Sequence, residues 1–236
     1  MKITLLTGKI YNIESAFDFP LKVIKSPRAK RLTLKVDSKE RQAILSIPPR
    51  CTQKQAIAFV RTHQEWILNG LKNLPQIQKF TSGQSISLFG KKILIQHAPE
   101  KRWGARIEKD ILYVSGGSEF THRRVKDFIK KEAQKKFLSL SQKLATKINC
   151  SVNDVVIKDT KSRWGSCSSL NNINYNWRLA LAPQEVIDYI VAHEVSHLAH
   201  QDHSEEFWEC VATLCPNYET GQEWLKQHGK ELYIFE

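Results

Sequence analysis

Apolar and polar positions alternate with a period of two through much of the first half of the chain, the pattern of strands with one buried face. From Leu21 the run Leu-Lys-Val-Ile-Lys reads as a strand, followed by a basic stretch from Ser26 to Arg31. Next come the alternating Leu32-Thr33-Leu34-Lys35-Val36 and, beyond the polar Asp37 to Gln42, Ala43-Ile44-Leu45-Ser46-Ile47. These two predict a β-hairpin ending at Pro48-Pro49. The period then changes: Thr52 predicts the cap of a helix running to Asn73, with Ala56, Ile57, Val60, Trp66, Ile67 and Leu71 at helical spacing and Pro75 just past its end. A second β-rich stretch follows, with strands expected at Ser85 to Leu88, Ile93 to Gln96, Arg106 to Glu108 and Ile111 to Val114. Gly116-Gly117 is the expected division between domains.

Beyond it the helical period dominates. Thr121 begins a long amphipathic helix that points Val125, Phe128, Ile129, Ala133, Phe137, Leu140, Leu144 and Ile148 inward and a lysine- and arginine-rich face outward. Val155 to Lys158 reads as a short strand and Ser162 to Cys167 as a turn. From Asn172 to Leu179, Ile173, Tyr175, Trp177 and Leu179 alternate with Asn172, Asn174, Asn176 and Arg178, predicting a strand with one polar face. Pro183 opens a helix carrying Val186, Ile187, Ile190, Val191 and Leu198; Phe207, Trp208, Val211 and Leu214 line the next, and a last helix spans Thr220 to His228. The pattern predicts an α+β chain: a β-rich domain with one helix over 1–117, then a mostly helical domain with a small sheet over 118–236.

The helix after Pro183 carries the chemistry. Its segment His193-Glu194-Val195-Ser196-His197 places two imidazoles four residues apart, one above the other on a helix face, with a carboxylate beside them. Imidazoles bind Zn²⁺, and a carboxylate one residue on takes a proton from the water that zinc acidifies. A third ligand is wanted, and His200 and His203 are the candidates. On a continued helix His200 would lie about 10.5 Å along the axis from His193, too far for compact binding. His203 requires the helix to end first, and Gln201-Asp202 offers an exit before Ser204, Glu205 and Glu206, which read as the cap and acidic first turn of a new helix. The spacing therefore selects His203 and leaves His200 solvent-facing or behind the ligands. The metzincin pattern has glycine where this chain has His200.

Composition changes the picture in two respects. The five cysteines, Cys51, Cys150, Cys167, Cys210 and Cys215, lack CxxC spacing and fit reduced thiols of a cytoplasmic protein, with Cys167 in a turn that approaches the metal. No signal peptide is expected from the N-terminal residues, and no apolar run approaches the roughly 18 residues of a membrane span. Charge is uneven: residues 1–150 carry 30 Lys/Arg against 11 Asp/Glu, a net +19, whereas 151–236 carry 6 against 13, a net −7. Such asymmetry suggests a polyanionic partner, nucleic acid first, although solvated lysine faces also arise without one.

Over residues 155 to 228 the chain resembles the YgjP-like family of predicted zinc metallopeptidases, relatives of SprT-type and WLM-type proteases. The resemblance rests on the SRWGSC turn, the NINYNW strand, the APQEVIDYIVAHEVSH helix and the HSEEFW segment, and extends more loosely to SPRAKRLTLKV and EWIL. It implies a zincin-like catalytic half in which His193, His197 and His203 bind Zn²⁺ and Glu194 is the general base for cleavage of a polypeptide substrate. For the oxyanion, Arg163 and Asn176 are candidates, against structural roles in an ion pair and a turn. A free edge of the Asn172 to Leu179 strand would align an extended peptide. Two rivals stand beside this reading: a metal-dependent endoribonuclease, and a nucleic-acid-binding module whose zinc is structural, with Cys167 or His200 as fourth ligand.

Overall fold

The computed structural model describes residues 3–4, 10–11, 13–37, 40–74 and 76–235. The fold is α+β, as expected, and divides into two compact units at Gln76/Ile77. Ser38 and Lys39 of the polar turn, Pro75, and Leu5 and Leu6 near the N-terminus lie outside the described residues.

In the first unit, Ile3–Thr4 (β1) pairs antiparallel with Ile10–Tyr11 (β2). The expected hairpin forms from Thr33–Asp37 (β4) and Gln42–Ile47 (β5), and Leu21–Lys25 (β3) adds to the other edge of β5 in parallel, giving the order β3-β5-β4. Leu21, Val23, Ala43, Leu45 and Ile47 alternate onto the buried face, where they share a core with Ala56, Val60 and Ile67. Thr52 caps the following helix, its hydroxyl accepting from the Gln55 N–H while the Gln55 side chain accepts from the Thr52 N–H. The expected single helix is broken at His63 into Gln53–Thr62 (α1) and Gln64–Lys72 (α2). The His63 ring Nδ1 lies 2.8 Å from the Phe59 carbonyl, the acceptor that its own N–H would use in a continuous helix, and that N–H turns to Val60 O instead.

The second unit begins with a four-stranded sheet of Ser85–Leu88 (β6), Lys91–His97 (β7), Ala105–Glu108 (β8) and Ile111–Val114 (β9), in the order β6-β7-β9-β8 with β7 and β9 parallel. Its apolar face, including Ile86, Ile93, Ile95 and Leu112, shares one core with Val125, Ile129 and Phe137 of the long helix Thr121–Lys147 (α3). That shared core is why the division falls at 76/77 and not at Gly116-Gly117. A second sheet, Asp154–Lys158 (β10), Gly165–Cys167 (β11) and Asn172–Asn176 (β12), has the order β10-β12-β11. Gly165 to Cys167, expected within a turn, is thus an edge strand, and β12 is central with both edges paired.

The strand expected to reach Leu179 stops at Asn176. The Asn176 Oδ1 accepts from the Arg178 N–H and starts a 3₁₀ turn, Trp177–Leu181, all of it buried. Arg178 can turn inward because its charge is compensated: it pairs with Asp159, donates from Nε to Phe235 O at 3.0 Å, and lies over the Trp177 and Tyr233 rings. Three helices complete the unit: Gln184–Ser196 (α4), Glu205–Leu214 (α5) and Tyr218–His228 (α6). No helix among the described residues is long and apolar enough to cross a membrane.

Candidate metal centre

Helix α4 is buried along Val186, Ile187, Ile190, Val191 and Val195, which fixes its rotation and leaves His193 and His197 on a half-buried side. It ends earlier than the expected Gln201-Asp202 exit. His197 is already the capping position, and the N–H groups of Leu198 and Ala199 bond three residues back, to Val195 O and Ser196 O. The tightened turn sends the chain back toward the helix, and Ser204, accepting from the Phe207 N–H, caps α5 as expected. His203 sits at that reversal.

The nitrogens that His193, His197 and His203 offer all lie within 4.8 Å of one another. The Nε2 atoms of His193 and His203 stand 3.3 Å apart. His197 Nδ1 lies 2.9 Å from the His200 carbonyl, so that nitrogen carries the proton and Nε2 keeps its lone pair for the cluster. Burial, helped by the charges of His197 and His203, holds the His193 imidazole down to about 4, and burial also lowers His197. Both imidazoles are therefore neutral at neutral pH and could offer a lone pair to a metal. Their surroundings are aromatic: Phe207, fully buried, lies 4.5 to 5.0 Å from all three imidazole rings, and Trp208 and Tyr189 each lie 5.8 Å from His193. The His193 Nδ1 is buried without a hydrogen-bond partner among the described residues.

Glu194 is 5 % exposed, and burial pushes its carboxyl up to about 8. Nothing among the described residues pairs with it. A cation held by the three histidines would supply the missing opposite charge, so the donor set and the carboxylate together fit a divalent metal. The carboxylate packs against Gly165 of β11, where a Cβ would meet Glu194 Cδ at 2.6 Å. Phe207 and Gly165 were not singled out from sequence: each matters through a neighbour distant in the chain, and only the HSEEFW and SRWGSC segments hinted at them.

The other candidates separate. Asn176 is 1 % exposed and its amide is spent, donating to Thr160 O at 2.7 Å and reaching the Tyr233 hydroxyl at 3.3 Å, so it closes a turn. Arg163 is exposed, without an ion pair or a hydrogen bond to the histidines among the described residues. Cys167 and His200 stand outside the donor group, and burial, with the Glu194 charge beside it, pushes the Cys167 thiol up to about 11.

Imidazoles gathered around one point, beside a buried carboxylate on the helix that carries His193, form an arrangement of the metallohydrolase class. Comparison with protein families narrows this: the chain matches the YgjP-like, metallopeptidase domain over residues 30–228 and belongs to the YgjP-like family. At the level of that family it is a metal-dependent peptidase. Neither the curated proteins nor the solved structures contain a match.

Proposed function

We propose that the chain is a zinc-dependent peptidase in which His193, His197 and His203 hold the ion and Glu194 moves the proton. The observation that carries this reading is the convergence of the three imidazoles beside the buried Glu194. Two nitrogens bound at about 2.0–2.1 Å to a tetrahedral zinc stand about 3.3–3.4 Å apart, and His193 and His203 are separated by 3.3 Å. Three protein ligands with no fourth donor among the described residues match a catalytic zinc better than a structural one.

Zinc, when bound, polarises a carbonyl and lowers the pKa of water to about 7. Glu194 accepts a proton from the attacking water and returns it to the leaving amine; a carboxyl shifted by burial toward neutral pH is placed to take up the proton and to give it back. The His200 carbonyl fixes the tautomer of His197. β12 is central, and of the two edge strands it is β11, not β10, that lies against Glu194; its outer backbone groups align a peptide there. The basic residues 1–150 supply the charge for a nucleic acid partner, which salt-dependent binding of an oligonucleotide would reveal.

The test is mass-spectrometric analysis of an unbiased peptide library incubated with zinc-loaded protein and with Glu194→Ala. Peptide products are expected from the wild type, with the rate falling at least about 10²–10⁴-fold in the variant while its zinc content stays unchanged. Uncut peptides together with cleavage of added RNA would replace this reading with the ribonuclease one.

A further inference from the structure

The polar face of the second sheet carries an unassigned cavity of about 370 Å³, lined by Lys158, Lys161, Arg163, Trp164, Ser166 and Asn174 among others. Residues 151–236 hold only 6 Lys/Arg against 13 Asp/Glu, yet three of the six gather here. All three are exposed, and none forms an ion pair among the described residues. The adjacent carboxylate, Asp159, is already engaged by Arg178 and, at 3.4 Å, by Lys126. An uncompensated positive site in an acidic half is therefore concentrated at one place.

Its position relative to β11 gives it meaning. Gly165 pairs with Tyr175, Ser166 with Asn174 and Cys167 with Ile173. The fully buried Ile173 and Tyr175 put Gly165 and Cys167 on the core face, where Gly165 meets Glu194. Ser166 points the other way, accepting from Asn174 Nδ2 at 3.1 Å on the face that holds the cavity. A peptide added to the open edge of β11 continues the sheet, and its side chains alternate between the two faces. One set faces the side of Glu194; the residues next to them face Lys158, Lys161 and Arg163.

We propose that this cavity is a substrate subsite selecting an acidic side chain, Asp or Glu, next to the residue presented on the Glu194 side. The proposal rests on the peptidase reading for its substrate but not for its binding, and the two are separable. Three fluorescent peptides, identical except for Glu, Gln or Lys flanking a central bond, are titrated into zinc-loaded Glu194→Ala and incubated with the wild type. The Glu peptide is expected to bind about tenfold more tightly than the Gln peptide, with the advantage shrinking as salt rises. The double variant Lys158→Glu, Lys161→Glu, checked for zinc content and circular dichroism, should invert the order in favour of the Lys peptide; Lys161→Ala should weaken it.

Equal binding of the three peptides, or an unchanged order in the charge-reversed variant, overturns the subsite. Charge-blind cleavage overturns it too while the peptidase reading stands, whereas charge-selective binding without cleavage upholds the subsite and removes the peptidase. A single-stranded oligonucleotide that binds through Lys158 and Lys161 when the Glu peptide does not would give the cavity to phosphates and overturn the proposal.

Discussion

Gly165 excludes a side chain because of its neighbour: a methyl group there occupies the space of the Glu194 carboxylate. That carboxylate is the far end of a rotatable side chain, so Gly165→Ala should be accommodated by swinging Glu194 aside. The expected result is a separation of effects, with stability and zinc affinity near wild type and kcat lower on the order of a hundredfold, since small misplacements of a reacting group cost that much. Denaturant melts, zinc titration and turnover measured together check it; wild-type kcat would show that the position of Glu194 against β11 does not matter. At this scale the sequence was most legible where chemistry is written in spacing. The separations between His193, His197 and His203 follow from helix geometry and a single reversal. Gly165 and Phe207 were not legible, because each acts through contacts between segments.

Elements were legible where one period ran cleanly, as in α3, and misjudged where a side chain captured the backbone. His63 breaks a helix by occupying a carbonyl that the helix needs, and Asn176 ends a strand by capping the turn after it. The alternation from Ile173 to Leu179 continued through that end only because Arg178 resembled an outward-facing residue. Its burial has a consequence in acid. Burial by itself raises the Asp159 carboxyl, but the hydrogen bond and charge of Arg178, with Lys126, outweigh it and hold the group below its ordinary value. A depressed carboxyl contributes stability that is complete above its unfolded pKa, about 3.9, and is lost as pH falls through the lower folded value. Wild-type stability should therefore decline below about pH 4 in part through Asp159. Asp159→Asn should remove that part of the decline and cost about 1–3 kcal/mol at neutral pH, by weakening the partnership of a buried guanidinium. Urea denaturation at pH 7 and pH 3 distinguishes this from an unimportant surface pair, which would leave both values unchanged.

For the molecule as a whole, the chain folds around two cores, one built on Leu45, Val60 and Ile67 and the other on Ile95, Ile129, Tyr175 and Ile187. Gly116-Gly117 looked like a boundary because glycine pairs mark turns, but the apolar face of the sheet before it belongs to the helix after it. Calorimetry should resolve two unfolding transitions. Zinc at a hundred times its Kd should raise only the one belonging to 77–236, by about 2.7 kcal/mol of stability; a single transition that shifts as a unit would refute the division. The histidine cluster also accounts for a departure noted in its own motif. The group that orients His197 is the main-chain carbonyl of residue 200, and His200 is not among the residues with positive φ. Neither the clamp nor the turn depends on which side chain stands at 200. A histidine can therefore stand where the related motif has glycine without disturbing the carbonyl that orients His197.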